Sequence, residues 1–268
     1  MTQHGIQAMK TLREEIFNLE HVLTAEDWAR PSACPGWSVQ DIVIHLNCTL
    51  REVVNPESLP SPVSGDIEAS NDVGVAAFRG QSPEQTLAEY REMIDSAIEE
   101  LTKLQVPPAS ESEVDMDNAG VYPAHILVDS LVFDHYCHLR HDIFAPHGPI
   151  DAPTVKPEED IVRSSLDWLM AGLPQMSPET LRTAVTAPVR LRLTGVGGSD
   201  WLIFPGAEKP SVALDDRSVE PAAVIISDAD DFIRWGTKRA SAERRDQMVR
   251  VEGDLNLARR VLDAIHVF

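Results

Sequence analysis

The chain has 268 residues, 43% of them apolar, with 43 acidic and 23 basic residues for a formal net charge of -20. Such a length and composition give an ordinary globular protein with room for two domains. A surface this acidic repels polyanions, which argues against nucleic-acid binding and against docking on anionic membranes. Three cysteines, Cys34, Cys48 and Cys137, are too sparse for a disulfide framework and form no CxxC pair, which fits a reducing cytoplasm. The stretch Met1 to Lys10 lacks the apolar core of a signal peptide, and no long apolar run offers a membrane span.

From His4 to Trp28 apolar residues recur at three- and four-residue steps (Met9, Leu12, Ile16, Leu19, Leu23), which predicts one helix closed by Pro31. Cys34-Pro35-Gly36-Trp37 carries a turn signal. Ser38 is a good N-cap with Asp41 three residues on, and Trp37 and Ile42 stand where a hydrophobic staple would. These signals start a second helix at Ser38, which runs to about Val54 with Val39, Val43, Leu46, Leu50 and Val53 as its stripe. His45 sits beside that stripe. Residues 55–80 read as a long connection with a short helix around Ala69 to Phe78. Ser82 caps a third helix, with Pro83 at its first position, and Val106-Pro107-Pro108 ends it. A polar stretch, Ala109 to Asn118, leads to a fourth helix from about Pro123 to Phe144. Four long helices in this order predict a bundle.

After Ile150 the pattern changes. A helix over Pro157 to Ala171 precedes strands at Val189–Thr194, Asp200–Phe204, Ala222–Ser227 and Met248–Glu252. Helices are expected at Asp228–Lys238 and Asp254–Ile265. The expected fold is therefore an α plus α/β two-domain chain: a four-helix bundle over 1–150, then a small α+β domain over 151–268.

On the fourth helix Leu127, Leu131, Asp134 and His138 follow one another at four, three and four residues and share a face. A carboxylate on a core-facing stripe is costly unless it is paired or holds a metal. Asp and His at i and i+4 can reach one ion, and His45 can join them across the bundle. Two imidazoles and one carboxylate suit zinc with an open fourth position; nickel, manganese or iron would accept the same set. Spacing leaves alternatives open. Asp134 and His138 can form a plain i,i+4 contact without metal, and His138 with Asp142 satisfies the same spacing. Nor does spacing give His135 and His141 a role.

The run Cys34-Pro-Gly-Trp37-Ser-Val-Gln-Asp41-Ile-Val-Ile-His45-Leu46 resembles the opening motif of the mycothiol-dependent maleylpyruvate isomerase family, part of the DinB-like superfamily of metal-binding four-helix bundles. Asp134-xxx-His138, followed by Arg140-His141-Asp142-Ile143, resembles that family's second motif, and Val251-Glu252-Gly253-Asp254-Leu255-Asn256-Leu257-Ala258 resembles the end of its small α+β domain, which is similar to sterol carrier proteins. The resemblance implies the metal ligands His45, Asp134 and His138, mycothiol as cosubstrate, and isomerisation or thiol transfer on a small electrophile, with a metal-held thiolate as nucleophile. The three cysteines then read as structural. Arg239 resembles a Gly-Arg element of the family's second domain and would meet an acidic substrate; a solvated helix-end cation is the plainer reading. Asp142 either bonds a ligand histidine or pairs with Arg140. The sequence departs from the family twice: Asp134 replaces a glutamate, and one extra residue separates His138 from the following acid.

Three functions compete. The first is the thiol-using isomerase or S-transferase, acting as monomer or homodimer in the cytoplasm. The second is a non-catalytic metal- or small-molecule-binding protein of the same fold. The third is a metal-dependent hydrolase, for which only Glu52 and Asp41 stand on the helix of His45 as candidate bases.

Overall fold

The computed structural model describes residues 3–153 and 155–267. They form two compact units, one ending at Lys156 and one starting at Pro157. Among the described residues no helix is long and apolar enough to cross a membrane.

In the first unit the long helices are α1 (Gln3–Val22), α3 (Val39–Val54), α5 (Pro83–Lys103) and α6 (Leu127–Cys137). Their apolar stripes meet in one core, where Met9, Leu12, Ile16, Ile42, Val43, Leu46, Tyr90, Ile94, Leu101, Val132 and Tyr136 are all fully buried. α3 packs on α5, and α1 lies against both α5 and α6. A side chain of this kind contributes about 1.5–3 kcal/mol when removed from water, so the stripes fix which faces turn inward.

The first predicted helix is in fact two. α1 stops at Val22, and Thr24 caps a short α2 (Ala25–Trp28) through a reciprocal capping box with Asp27. A local cap has overridden an apolar period that runs on. The connection after α3 contains a longer helix than expected, α4 (Ile67–Phe78), capped by Asp66. The polar stretch after α5 is not a plain loop: β1 (Glu113–Asp115) pairs antiparallel with β2 (Val121–Pro123). The predicted fourth helix begins as a 3-10 turn at Ala124–Ile126 and becomes α only from Leu127. After Cys137 it widens into a π-helical turn, His138–Ile143, closed by a bond from the Phe144 N–H to the Leu139 carbonyl five residues back.

The second unit holds a five-stranded sheet in the order β5-β4-β3-β6-β7. Its strands are β3 (Val189–Thr194), β4 (Asp200–Phe204), β5 (Ser211–Leu214), β6 (Ala223–Asp228) and β7 (Val249–Gly253). β3 and β6 are parallel and the other neighbours antiparallel. α7 (Glu159–Met176), α9 (Ala229–Gly236) and α11 (Leu255–Ala264) bury apolar faces that include Leu166, Leu169, Phe232, Trp235 and Val261. α8 (Pro178–Ala184), α10 (Ala242–Met248) and β5 are elements that periodicity missed. All three are short, and two helical turns or a four-residue edge strand leave little pattern to read.

Candidate metal centre

The site starts at a turn. Cys34 C=O accepts from the Trp37 N–H at 3.2 Å, with Pro35 and Gly36 between them and Gly36 at φ +83°. Proline followed by a left-handed residue is what a type II turn demands. Ser38 then caps α3, accepting from the Asp41 N–H while Asp41 accepts from the Ser38 N–H. The turn thus sets the start of α3, and with it the direction in which His45 projects.

His45 on α3 and Asp134 on α6 meet across the bundle, and His138 joins them from the first residue of the π turn. His45 is 4% and His138 6% exposed. Asp134 Oδ1 lies 3.3 Å from the Nε2 atom of His45 and 3.3 Å from the Nε2 atom of His138. The other oxygen of Asp134 is 3.1 Å from His45 Nε2. The aspartate therefore reaches both rings. The two imidazoles stand edge to face, 5.2 Å between centroids.

His138 Nδ1 lies 2.8 Å from Asp142 Oδ2, and Asp142 is 1% exposed. A carboxylate only accepts, so Nδ1 carries the hydrogen and Nε2 turns its lone pair toward Asp134. A lone pair facing a carboxylate oxygen at this distance requires a cation between them, either a proton or a metal ion. Without metal the proton takes that place. Burial opposes charge on His138, but the Asp134 carboxylate and the bonds to Asp134 and Asp142 outweigh it and raise its pKa well above the imidazole norm. Burial likewise opposes charge on Asp134, and the two histidines overcome it and hold the carboxyl well below its usual range. His45 Nδ1 is buried without a hydrogen-bond partner.

The same three donors suit a metal. Ligands about 2.1 Å from a tetrahedral centre lie roughly 3.4 Å apart, close to the 3.3 Å separations measured here. The Asp142 bond matches the outer partner that a ligating histidine usually has.

The surroundings close one side. The Trp37 ring lies 5.0 Å from His45 and 6.3 Å from His138. Its Nε1 donates to Asp72 on α4 at 2.8 Å. Arg79, just after α4, pairs with Asp41 at 3.0 Å and donates to the Gly36 carbonyl at 3.0 Å. The long connection is thereby fastened to the turn that starts the site. The Ala33 N–H donates to the Asp142 carbonyl, joining the same turn to the π segment.

Cys34, read from the sequence as structural, lies beside the site: its Sγ is 3.7 Å from His138 Nδ1. Cys34, His138 and Asp142 thus form a second group of close donors. They do not form a nucleophile–base–orienter relay, because thiol and carboxylate share one ring nitrogen whereas a relay uses both. Cys48 faces α4, and burial raises its thiol to about 11. Cys137 is buried. Asp142 pairs with His138, while an Arg140 guanidinium N–H donates to the Val155 carbonyl. His135 is fully buried one residue after Asp134, its Nδ1 2.8 Å from the Leu131 carbonyl, and burial depresses it to about 4. Arg239 belongs to the second unit, half-buried in the turn after α9, its N–H bonded to the Arg234 carbonyl. Cys34, Asp72 and Arg79 had no signal of their own in the sequence, since only folding brings them here.

Comparison with known proteins agrees with this architecture. No curated protein matches the chain in sequence. The crystal structure of the mycothiol-dependent maleylpyruvate isomerase superposes with a TM-score of 0.54 at 13% identity, covering 92% of this chain and 91% of that one. A point mutant of that isomerase gives the same TM-score and coverage at 12% identity. At these identities the likeness is one of fold, and it extends through both units. Residues 10–138 match the family model described as the mycothiol maleylpyruvate isomerase N-terminal domain.

Proposed function

We propose that this protein is a metal-dependent enzyme that uses a low-molecular-weight thiol, mycothiol by family, to isomerise or S-conjugate a small electrophile. The observation that carries the reading is the single carboxylate oxygen of Asp134 lying 3.3 Å from both the His45 and the His138 Nε2 atoms, with Asp142 behind His138. Those three residues would hold a divalent ion, zinc first, with one position left for a ligand. When bound, the ion supplies a Lewis acid that keeps a thiol deprotonated at neutral pH. The protein's residues do the rest. Asp142 holds the proton on His138 Nδ1 and so presents Nε2. Asp134 brings the negative charge that a dication needs in a buried place. Trp37 covers the two rings and limits water. Cys48, held protonated far above neutrality, is no competing nucleophile. A thiol cosubstrate and three free cysteines suit a reducing cytoplasm.

Isomerisation and transfer share their first step, addition of the thiolate to the electrophile. They differ in whether the sulfur leaves, which the product mass distinguishes. The test of the whole reading is metal content by elemental mass spectrometry on the wild type, His45→Ala and His138→Ala. About one metal per chain, lost in both variants, together with thiol-dependent turnover of an electrophile, is the expected result. A folded wild type that takes up no zinc, nickel or manganese overturns it.

A further inference from the structure

The two nitrogens of His138 face two different groups of donors. Nε2 lies 3.3 Å from Asp134 Oδ1, which also meets His45. Nδ1 lies 2.8 Å from Asp142 Oδ2 and 3.7 Å from Cys34 Sγ. The Cys34 sulfur, His138 Nδ1 and an Asp142 oxygen are all within 4.8 Å of one another. Asp142 and His138 are buried and Cys34 is half-buried, so the sulfur is the donor nearest water. The turn that carries the sulfur is fixed in place. The Cys34 N–H donates to Ser32 Oγ at 3.1 Å, its carbonyl accepts from the Trp37 N–H at 3.2 Å, and the Ala33 N–H donates to the Asp142 carbonyl at 3.0 Å.

These separations suit a shared ion. Sulfur at about 2.3 Å and nitrogen at about 2.1 Å from a tetrahedral centre lie roughly 3.6 Å apart, close to the 3.7 Å between Cys34 and His138. The shorter His138–Asp142 separation is that of a hydrogen bond, and it opens by roughly half an ångström when an ion replaces the hydrogen. A thiolate in the donor set favours soft ions, which the nitrogens and oxygen of His45, Asp134 and His138 do not. We propose that Cys34, His138 Nδ1 and Asp142 form a second metal seat, selective for a thiophilic ion softer than zinc, such as cadmium. Binding there releases the Cys34 thiol hydrogen and the His138 Nδ1 hydrogen to water as protons. A neutral imidazole carries one hydrogen and offers one lone pair, so a ring bound through Nδ1 keeps its hydrogen on Nε2, where Asp134 accepts it. The seat uses no atom of His45 and does not rest on the metal–thiol reading.

The test titrates the metal-free full-length protein with cadmium(II) and reads the thiolate-to-cadmium charge-transfer absorption in the ultraviolet. His45→Ala removes a ligand of the first centre and none of the second seat, so it is expected to take about one cadmium per chain with that absorption. In the same background Cys34→Ser is expected to lose the absorption, and Cys34→Ala repeats the comparison without a hydroxyl that could act as a ligand. His138→Ala is expected to weaken cadmium by roughly a hundredfold or more, beyond what the loss of an outer partner costs. Circular dichroism checks that each variant is folded. Absorption that persists without Cys34 comes from Cys48 or Cys137 and overturns the proposal. Cadmium affinity unchanged in His138→Ala is binding by a thiol alone and overturns it too, as does a folded His45→Ala that takes up no cadmium or takes it up without thiolate absorption. Zinc lost and cadmium kept in His45→Ala is the signature of two seats.

Discussion

Replacing Asp142 by asparagine tests the outer partner of His138 with the least change of shape. Asp142 is 1% exposed, and its Oδ2 lies 2.8 Å from His138 Nδ1. Asparagine keeps an acceptor oxygen and loses the charge. Losing such a partner weakens metal binding about 10- to 100-fold, and the retained acceptor argues for the lower end, about tenfold or 1.4 kcal/mol. A second effect opposes the first. Metal must displace the proton that Asp134 and Asp142 hold on His138, whose pKa is raised, so removing the Asp142 charge also eases proton competition. That relief is greatest at low pH, where the proton is held, and fades as pH rises. Zinc affinity, read by competition with a chromophoric chelator, should therefore fall in Asp142→Asn, and the fall should be larger at pH 9 than at pH 6. Equal affinities of the two proteins at pH 9, with the fold intact by circular dichroism, would falsify the role given to Asp142.

Two further outcomes follow from buried and strained positions. His135 is fully buried and depressed to about 4, against about 6.5 in an unfolded chain, so the unfolded state binds the extra proton between these values. Its share of stability is complete above pH 6.5 and is lost as pH falls toward 4, about 3 kcal/mol in all. Denaturant unfolding of metal-free protein should show that added loss in wild type relative to His135→Phe; equal pH slopes would refute the burial argument. Gly36 sits at φ +83°, and a Cβ added there would meet nothing within 4 Å, so Gly36→Ala meets a backbone penalty of about 1 kcal/mol and no clash. A melting temperature lower by a few degrees is expected, and an unchanged one would mean that the turn relaxes freely.

What could be read in the sequence was whatever is encoded within one helix or one cap. Ser38 and Asp41 announce the start of α3 by local hydrogen bonds, and the structure holds both. His45, Asp134 and His138 stand out because polar residues on an apolar face need a partner, and the structure brings the three together. Thr24 was overlooked although Thr24 and Asp27 are an equally local signal, because the apolar period continues through them. Asp72 reaching Trp37, Arg79 reaching Asp41 and Gly36, and Cys34 lying beside His138 have no such trace. Their partners are 35, 38, 43 and 104 residues away in the chain, and only the packing of α4 and the turn decides them.

The His138–Asp142 spacing, one residue longer than the resemblance in the sequence implies, looks like a slip of register. In the structure it coincides with the π turn His138–Ile143. A π turn holds about one residue more than an α turn and is often found at functional sites. The wider turn begins at His138 itself, so Asp134 and His138 keep their α-helical i,i+4 relation while the chain beyond is rewound. The acid four residues on still reaches the ring, at 2.8 Å on Nδ1. Its carbonyl takes the Ala33 N–H from the turn that starts α3. Deleting the extra residue would then be no repair: it would pull Asp142 off His138 and unfasten the Cys34–Trp37 turn in the same step, so the helix break and the site are one feature of this chain.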